Sequence, residues 1–301
     1  MSASASASTS APAEVRSFEG ATRVDALAPG NRGLAYGDGL FETMRAHRGT
    51  LPWWDAHWAR LALGSTRLGI ALPDEAFVRA QAVELLAGAA NVTGVADTAG
   101  GADAVLKLLV VRGGTARGYA PGAAAPPAWQ LSRHPLPEAP PPAGLRLHWC
   151  DTRLAVQPAL AGLKHCNRLE QVLARAETVT AGCDEGLVRD TDGHVVSATS
   201  ANLFVLRGAR WSTPAVDRCG VAGTCRARLL AVLGADEARL SVADVEGADA
   251  VVLCNAVRGI LPVASLGSRR WPPTSEAVAG ARRALAQSHP GFAPEPGNLG
   301  E

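Results

Sequence analysis

At 301 residues with 47% apolar content, the chain is long enough for one large domain or two of ordinary size, each with its own core. A formal net charge of +1 leaves no electrostatic footprint for nucleic acid or an anionic membrane. No apolar run is long and uninterrupted enough to span a bilayer.

The start, MSASASASTSAPAE, has neither the basic segment nor the apolar stretch of a signal peptide, and residues 1–20 read as a disordered tail. The six cysteines include no C-x-x-C pair, so reduced thiols, a cytoplasmic setting and no metal site are expected. GLAYGDGLFETMRAHRGTLPWW reads as strands broken by turns, with Gly37-Asp38-Gly39 supplying residues that accept positive φ. DAHWARLALGSTRLGI reads as a helix with Asp55 as N-cap and Trp58, Leu61, Ser65 and Leu68 at helical spacing. Residues 85–103 read as a surface loop, and VLKLLVVRGG as a buried strand.

Five prolines in HPLPEAPPPAG, residues 134–144, prevent regular helix and mark an interdomain linker. A small domain over 21–133 and a larger one over 145–290 are expected on either side. Beyond the linker, LRLHWC alternates like a strand. NRLEQVLARAETV reads as a helix opened by an Asn167/Glu170 capping box, with Leu169, Val172, Leu173 and Ala176 as its apolar face. Strands follow at EGLVRD, HVVSAT, NLFVL and RWSTP, then a glycine-rich loop entering a helix, CGVAGTCRARLLAVLG. VVLCNAVRGILPV reads as a last strand and loop. Strands dominate both halves with few helices between them, which argues for an α+β fold.

Lys107 and Lys164 are the only lysines among 29 Lys and Arg residues. A guanidinium stays protonated and is a poor nucleophile, whereas a desolvated amine can lose its proton and attack a carbonyl. Lys164 precedes the NRLEQ helix, outside any regular ladder, where it can project into a cavity. Gly220–Cys225 opens a helix whose first N–H groups suit a phosphate, and Arg60 in HWARL offers a bidentate phosphate contact. Each signal is weak alone: such a glycine pair is more often a tight turn, and a helix arginine is usually solvated. Together they suggest pyridoxal phosphate.

Three blocks carry a resemblance: NRGLAYGDGLFETMRAHRGTLPWWDAHWARL, LAGLKHCNRLEQVLARAE and SANLFVLRG with STPAVDRCGVAGTCR. They resemble, in order over roughly residues 30–265, the fold-type-IV pyridoxal-phosphate enzymes. These comprise the branched-chain and D-amino acid aminotransferases and 4-amino-4-deoxychorismate lyase. GLKHCNRLEQ and RGGTARGY are most similar to the lyase group.

The resemblance implies a small N-terminal α/β sandwich, a larger β-barrel-like C-terminal domain and a homodimer acting on a small molecule. It assigns Lys164 to the Schiff base and Arg60, Thr224, Cys225 and Asn255 to the cofactor's phosphate. Arg112, Arg117, Tyr119 and Thr43 would face substrate. One position departs. The family usually has a glutamate against the cofactor's ring nitrogen where this chain has Ser197. A serine makes the ring a weaker electron sink. That loss weighs more on a transaminase than on a lyase whose product becomes aromatic, so lyase activity is expected. A class IV aminotransferase acting on D- or branched-chain amino acids, or a non-catalytic cofactor-binding homologue, are the alternatives.

Overall fold

The computed structural model describes residues 14–87, 103–115, 117–122 and 124–293. Two sheets organise it. The first is antiparallel, ordered β2-β1-β5-β4-β3, from β1 (Glu14–Glu19), β2 (Thr22–Val24), β3 (Gly39–Ala46), β4 (Ala104–Val111) and β5 (Ala128–His134). Helices α2 (Trp54–Leu68) and α3 (Glu75–Ala87) cover one face. Phe18, Leu40, Leu61, Leu106, Leu108 and Trp129 fill the layer between, all at 2% exposure or less. The indole of Trp129 stacks on Phe18 at 4.1 Å.

The second sheet is mixed, ordered β11-β10-β9-β12-β13-β6-β7-β8. Its strands are β6 (Leu145–Leu154), β7 (Glu185–Asp190), β8 (Val195–Ala198), β9 (Asn202–Arg207), β10 (Arg210–Pro214), β11 (Asp236–Ala238), β12 (Ala250–Asn255) and β13 (Gly259–Leu266), with β14 (Arg269–Arg270) on β13. A bridge between Val195 and Leu240 ties its two edges, so the sheet curls into a barrel-like shape. Leu147, Leu187, Leu203, Leu253, Leu261 and Trp271 fill its inside. Helices α5 (Thr224–Leu233) and α7 (Glu276–Ala286) pack outside against Phe204, Val252 and Ile260. The proline-rich 135–144 stretch connects β5 of one sheet to β6 of the other.

Several sequence expectations change. Residues 14–19 are not tail but strand β1, paired along its whole length with β5, because Ser17 and Phe18 bury inward. Residues 1–13, and 88–102 of the expected 85–103 loop, lie outside the described residues. RGLAY is a short helix, α1 (Arg32–Tyr36), capped by Asn31, which leaves β3 as the only strand of that block. Helix α2 has Trp53 at its N-cap position with no side-chain cap, Asp55 lies in its first turn, and Trp53 and Trp54 are buried in core. VVLCNAVRGILPV makes two paired strands, β12 and β13, around a tight turn.

Helix α4 (Leu169–Thr180) lacks the expected capping box: Asn167 donates to Gly37 O and Glu170 accepts from Ala155 N. Its small residues face inward. Ala174 and Thr178 are buried, and at Gly186 a Cβ would stand 2.3 Å from Thr178 Oγ1, so only glycine lets helix and strand meet. The apolar row Leu169, Val172 and Leu173 is left 59–77% exposed.

Candidate active site

Between the two sheets lies a cavity of about 710 Å³, within the usual range for small-molecule sites. Lys164, Arg60, Thr43, Ser197, Thr224, Cys225 and Asn255 all line it.

Lys164 is held by its backbone from two sides. Phe41 N donates to Lys164 O at 3.0 Å and Cys166 N to Gly39 O at 2.9 Å, which ties the loop to the start of β3. Gly162 N donates to Gly220 O, and Ala222 N to Gly162 O, each at 3.0 Å, which ties it to the glycine-rich loop. The amine lies 4.3 Å from the Phe41 ring centroid. Burial, with the positive charge of Arg60 behind it, pulls the amine's pKa from 10.5 to about 8. A neutral nucleophile is therefore available near physiological pH.

The glycine-rich loop ends at Gly223, the N-cap of α5, which has no side-chain cap and no acidic residue in its first turn. Its first N–H groups are left for a ligand. Backbone is forced close here: a Cβ at Gly223 would stand 2.1 Å from Asn202 Oδ1. Arg60 reaches the same place from α2. Its Nη1 donates to Ala222 O at 3.0 Å, and its Nε donates to Glu42 Oε1 at 2.8 Å, with Nη2 on the other carboxylate oxygen.

Glu42, 1% exposed, also meets His57 Nδ1 at 2.6 Å, and His57 Nε2 lies 3.4 Å from Thr224 Oγ1. Burial alone would raise the Glu42 carboxyl. Arg60 and His57 overcome that and hold it at about 2. Burial pushes His57 below its ordinary value. Glu42 and His57 thus hold Arg60 and Thr224 in one network. Sequence reasoning missed both. The signal was present, since His57 stands one helical turn before Arg60 and a charged Glu42 interrupts an apolar strand.

On the other side, Ser197 of β8 is 9% exposed and its hydroxyl makes no hydrogen bond among the described residues. The carboxylate of this wall comes from Glu185, also missed, which accepts from Thr199 Oγ1, Ser200 Oγ and Gly186 N. Cys225 is buried beside Cys254, and burial pushes its thiol well up, so it packs as an apolar wall. Asn255 braces the β12–β13 turn by accepting from Val257 N and Arg258 N.

The expected substrate loop is elsewhere. Arg112 is committed to Asp38 Oδ2 at 2.8 Å and to the carbonyls of Leu68 and Gly69. Arg117 is exposed, and Tyr119, 91% exposed, leans on Tyr36. None of the three lines the cavity.

Residues 39–266 match the model of the amino-transferase class IV family. The chain belongs to that family. It is 34% identical over 247 residues to the aminodeoxychorismate lyase of Vibrio harveyi, covering 79% of this chain and 87% of that protein. It is 26% identical to a putative branched-chain-amino-acid aminotransferase of Methanocaldococcus jannaschii, over 79% of this chain and 82% of that one. Among solved structures, 4-amino-4-deoxychorismate lyase from Pseudomonas aeruginosa superposes with a TM-score of 0.79 at 41% identity, covering 90% of this chain and 98% of that one. A class IV fold thus frames the cavity, and its residues fit a phosphorylated aldehyde. The uncapped α5 start, Thr224 and Arg60 suit a phosphate dianion, and the Lys164 amine, with its pKa lowered to about 8, suits the carbonyl. No helix among the described residues is long and apolar enough to cross a membrane.

Proposed function

We propose that the chain is a pyridoxal-phosphate-dependent lyase that converts 4-amino-4-deoxychorismate to 4-aminobenzoate and pyruvate, a step toward folate. The observation that carries this reading is Lys164, a lowered-pKa amine at a phosphate-shaped cradle. Ser197, where a transaminase needs a carboxylate, and the lyase names of the 34% and 41% identical relatives favour lyase over transaminase.

Arg60, Thr224 and the first N–H groups of α5 hold the cofactor's phosphate, with Cys225 and Asn255 completing that wall. Lys164 carries the cofactor covalently. When bound there, the cofactor would supply an electron sink for the ring carbon beside the substrate's amine. Lys164, whose amine faces the cavity, would take the ring proton beside the nitrogen as general base. The enolpyruvate leaves with the C–O electron pair, takes up a proton and tautomerises to pyruvate, while the ring becomes aromatic. Aromatisation supplies the driving force that Ser197 does not.

The exposed row Leu169, Val172, Leu173 and Val179 on α4 supports a homodimer, because monomers rarely leave such a stripe in water. Val172 also lines the cavity, so the joint borders the site.

The test is product analysis. Cofactor-loaded protein incubated with aminodeoxychorismate should yield 4-aminobenzoate and pyruvate in equal amounts. Neither product, together with conversion of the cofactor's visible band by added amino acids, overturns the lyase in favour of an aminotransferase.

A further inference from the structure

We propose that Arg258 binds a carboxylate of the substrate and sets the enzyme's preference for dicarboxylates; this rests on the lyase reading. The substrate of that reading carries two carboxylates, and the loop arginines expected to meet them do not line the cavity. The cavity wall itself offers cations that could take that role.

The wall offers four guanidinium groups, and three are spent. Arg60, oriented by Glu42 and Ala222 O, belongs to the phosphate cradle. Arg168 donates from Nε to His165 O at 2.8 Å and from Nη2 to Leu163 O at 2.9 Å, clasping its own loop. Arg175 donates to Asp184 O, lies 3.8 Å from Glu185, and has a side chain 48% exposed at the rim. Arg258 is half-buried, and among the described residues its guanidinium makes no hydrogen bond and no ion pair within 4.0 Å. A desolvated guanidinium without a counter-ion is unfavourable, and an anion entering the cavity relieves it.

The base of the side chain is fixed. Asn255 Oδ1 accepts from Arg258 N at 2.8 Å, and Asn255 Nδ2 donates to Ser200 O. Ser200 in turn donates to Glu185, so the turn is braced on the wall beside Ser197. The next residue, Gly259, has φ +67°, and a Cβ there would stand 2.9 Å from Phe292, which keeps the turn in one shape. Burial lowers the Arg258 pKa, with Glu185 and Arg175 as its charged neighbours, yet a guanidinium stays protonated. A fork of donors on a rigid turn matches a carboxylate in bidentate geometry. A phosphate is not its ligand in this reading, because Arg60 and the α5 start already form that cradle.

The experiment compares wild-type holoenzyme with Arg258→Ala and Arg258→Lys, using aminodeoxychorismate as substrate. Chorismate, which has both carboxylates and no amine, serves as the binding probe. Loss of a charged hydrogen bond should raise KM and weaken chorismate binding by about tenfold or more in Arg258→Ala. Turnover at saturation should stay near wild type, because binding common to ground and transition states is what is lost. Arg258→Lys should recover part of the affinity, and the cofactor's absorbance band should stay unchanged in both. An active wild type with unchanged KM and chorismate affinity in Arg258→Ala overturns this assignment alone. So does a variant whose cofactor band collapses along with its activity. A wild type that makes neither product overturns the lyase reading, and the assignment falls with it.

Discussion

The two walls of the cavity are built on opposite plans. On the phosphate side, Glu42, His57, Arg60 and Thr224 form a closed network in which the Arg60 guanidinium already has its carboxylate. On the substrate side, Arg258 stands on a braced turn, and among the described residues neither its guanidinium nor the Ser197 hydroxyl makes a hydrogen bond. A cofactor that stays bound suits a wall organised in advance. A substrate that must enter and leave suits groups that gain their partner only on binding. Preorganisation cuts the ordering cost of binding, whereas an open cation confers selection.

Lys164 joins the two walls, so its removal should have the largest effect. Lys164→Ala should lower turnover on the order of a thousandfold or more and abolish covalent cofactor while leaving the fold intact, read by steady-state rate and visible absorbance. Breaking the closed wall comes next. Glu42→Gln leaves Arg60 and His57 buried without their counter-charge, and should cost about 3 kcal/mol of unfolding free energy together with weaker cofactor binding. A normal melting midpoint in that variant breaks the contrast between the walls.

The same carboxylate gives a pH signature. Its folded value near 2 lies below its ordinary 4.5, so its contribution is fully present above about pH 4.5 and is lost as pH falls through about 2. Denaturant midpoints followed through that window, wild type against Glu42→Gln, should converge at the acid end. The smallest effect belongs to a water-facing charge on α2, the helix that carries His57 and Arg60. Asp55, with a side chain 90% exposed and Arg79 at 3.6 Å, should cost no more than ~0.5 kcal/mol when changed to Ala.

The sequence made the cavity's chemistry legible where residue type alone was rare or local. Lys164 stood out against the arginines, and Gly223-Thr224 at a helix start and Arg60 in HWARL followed from short motifs, all three on one cavity. What stayed hidden depended on partners far along the chain. Glu42 and Thr224 meet through His57 across 167 residues of separation on one side and 15 on the other, which no local spacing reports. Helix α4 misled for a different reason. Its larger apolar residues marked a face, but Gly186 admits only small side chains from the helix, so the larger ones turned outward. Strand β1 was masked by the low-complexity run before it, though Phe18 had a stacking partner in Trp129. RGGTARGY drew Arg112 toward substrate, whereas Asp38 had already claimed it.

With two lysines in the chain, the site of cofactor attachment is directly measurable. The protein loaded with pyridoxal phosphate is reduced with borohydride at several pH values, digested, and its peptides weighed. Lys107 is exposed on β4, whereas Lys164 has its amine on the cavity with a value near 8. The cofactor's mass should fall on the Lys164 peptide alone, with the attachment rate of the cofactor-free protein rising as pH climbs through about 8. Label on Lys107, or on neither lysine, contradicts that placement.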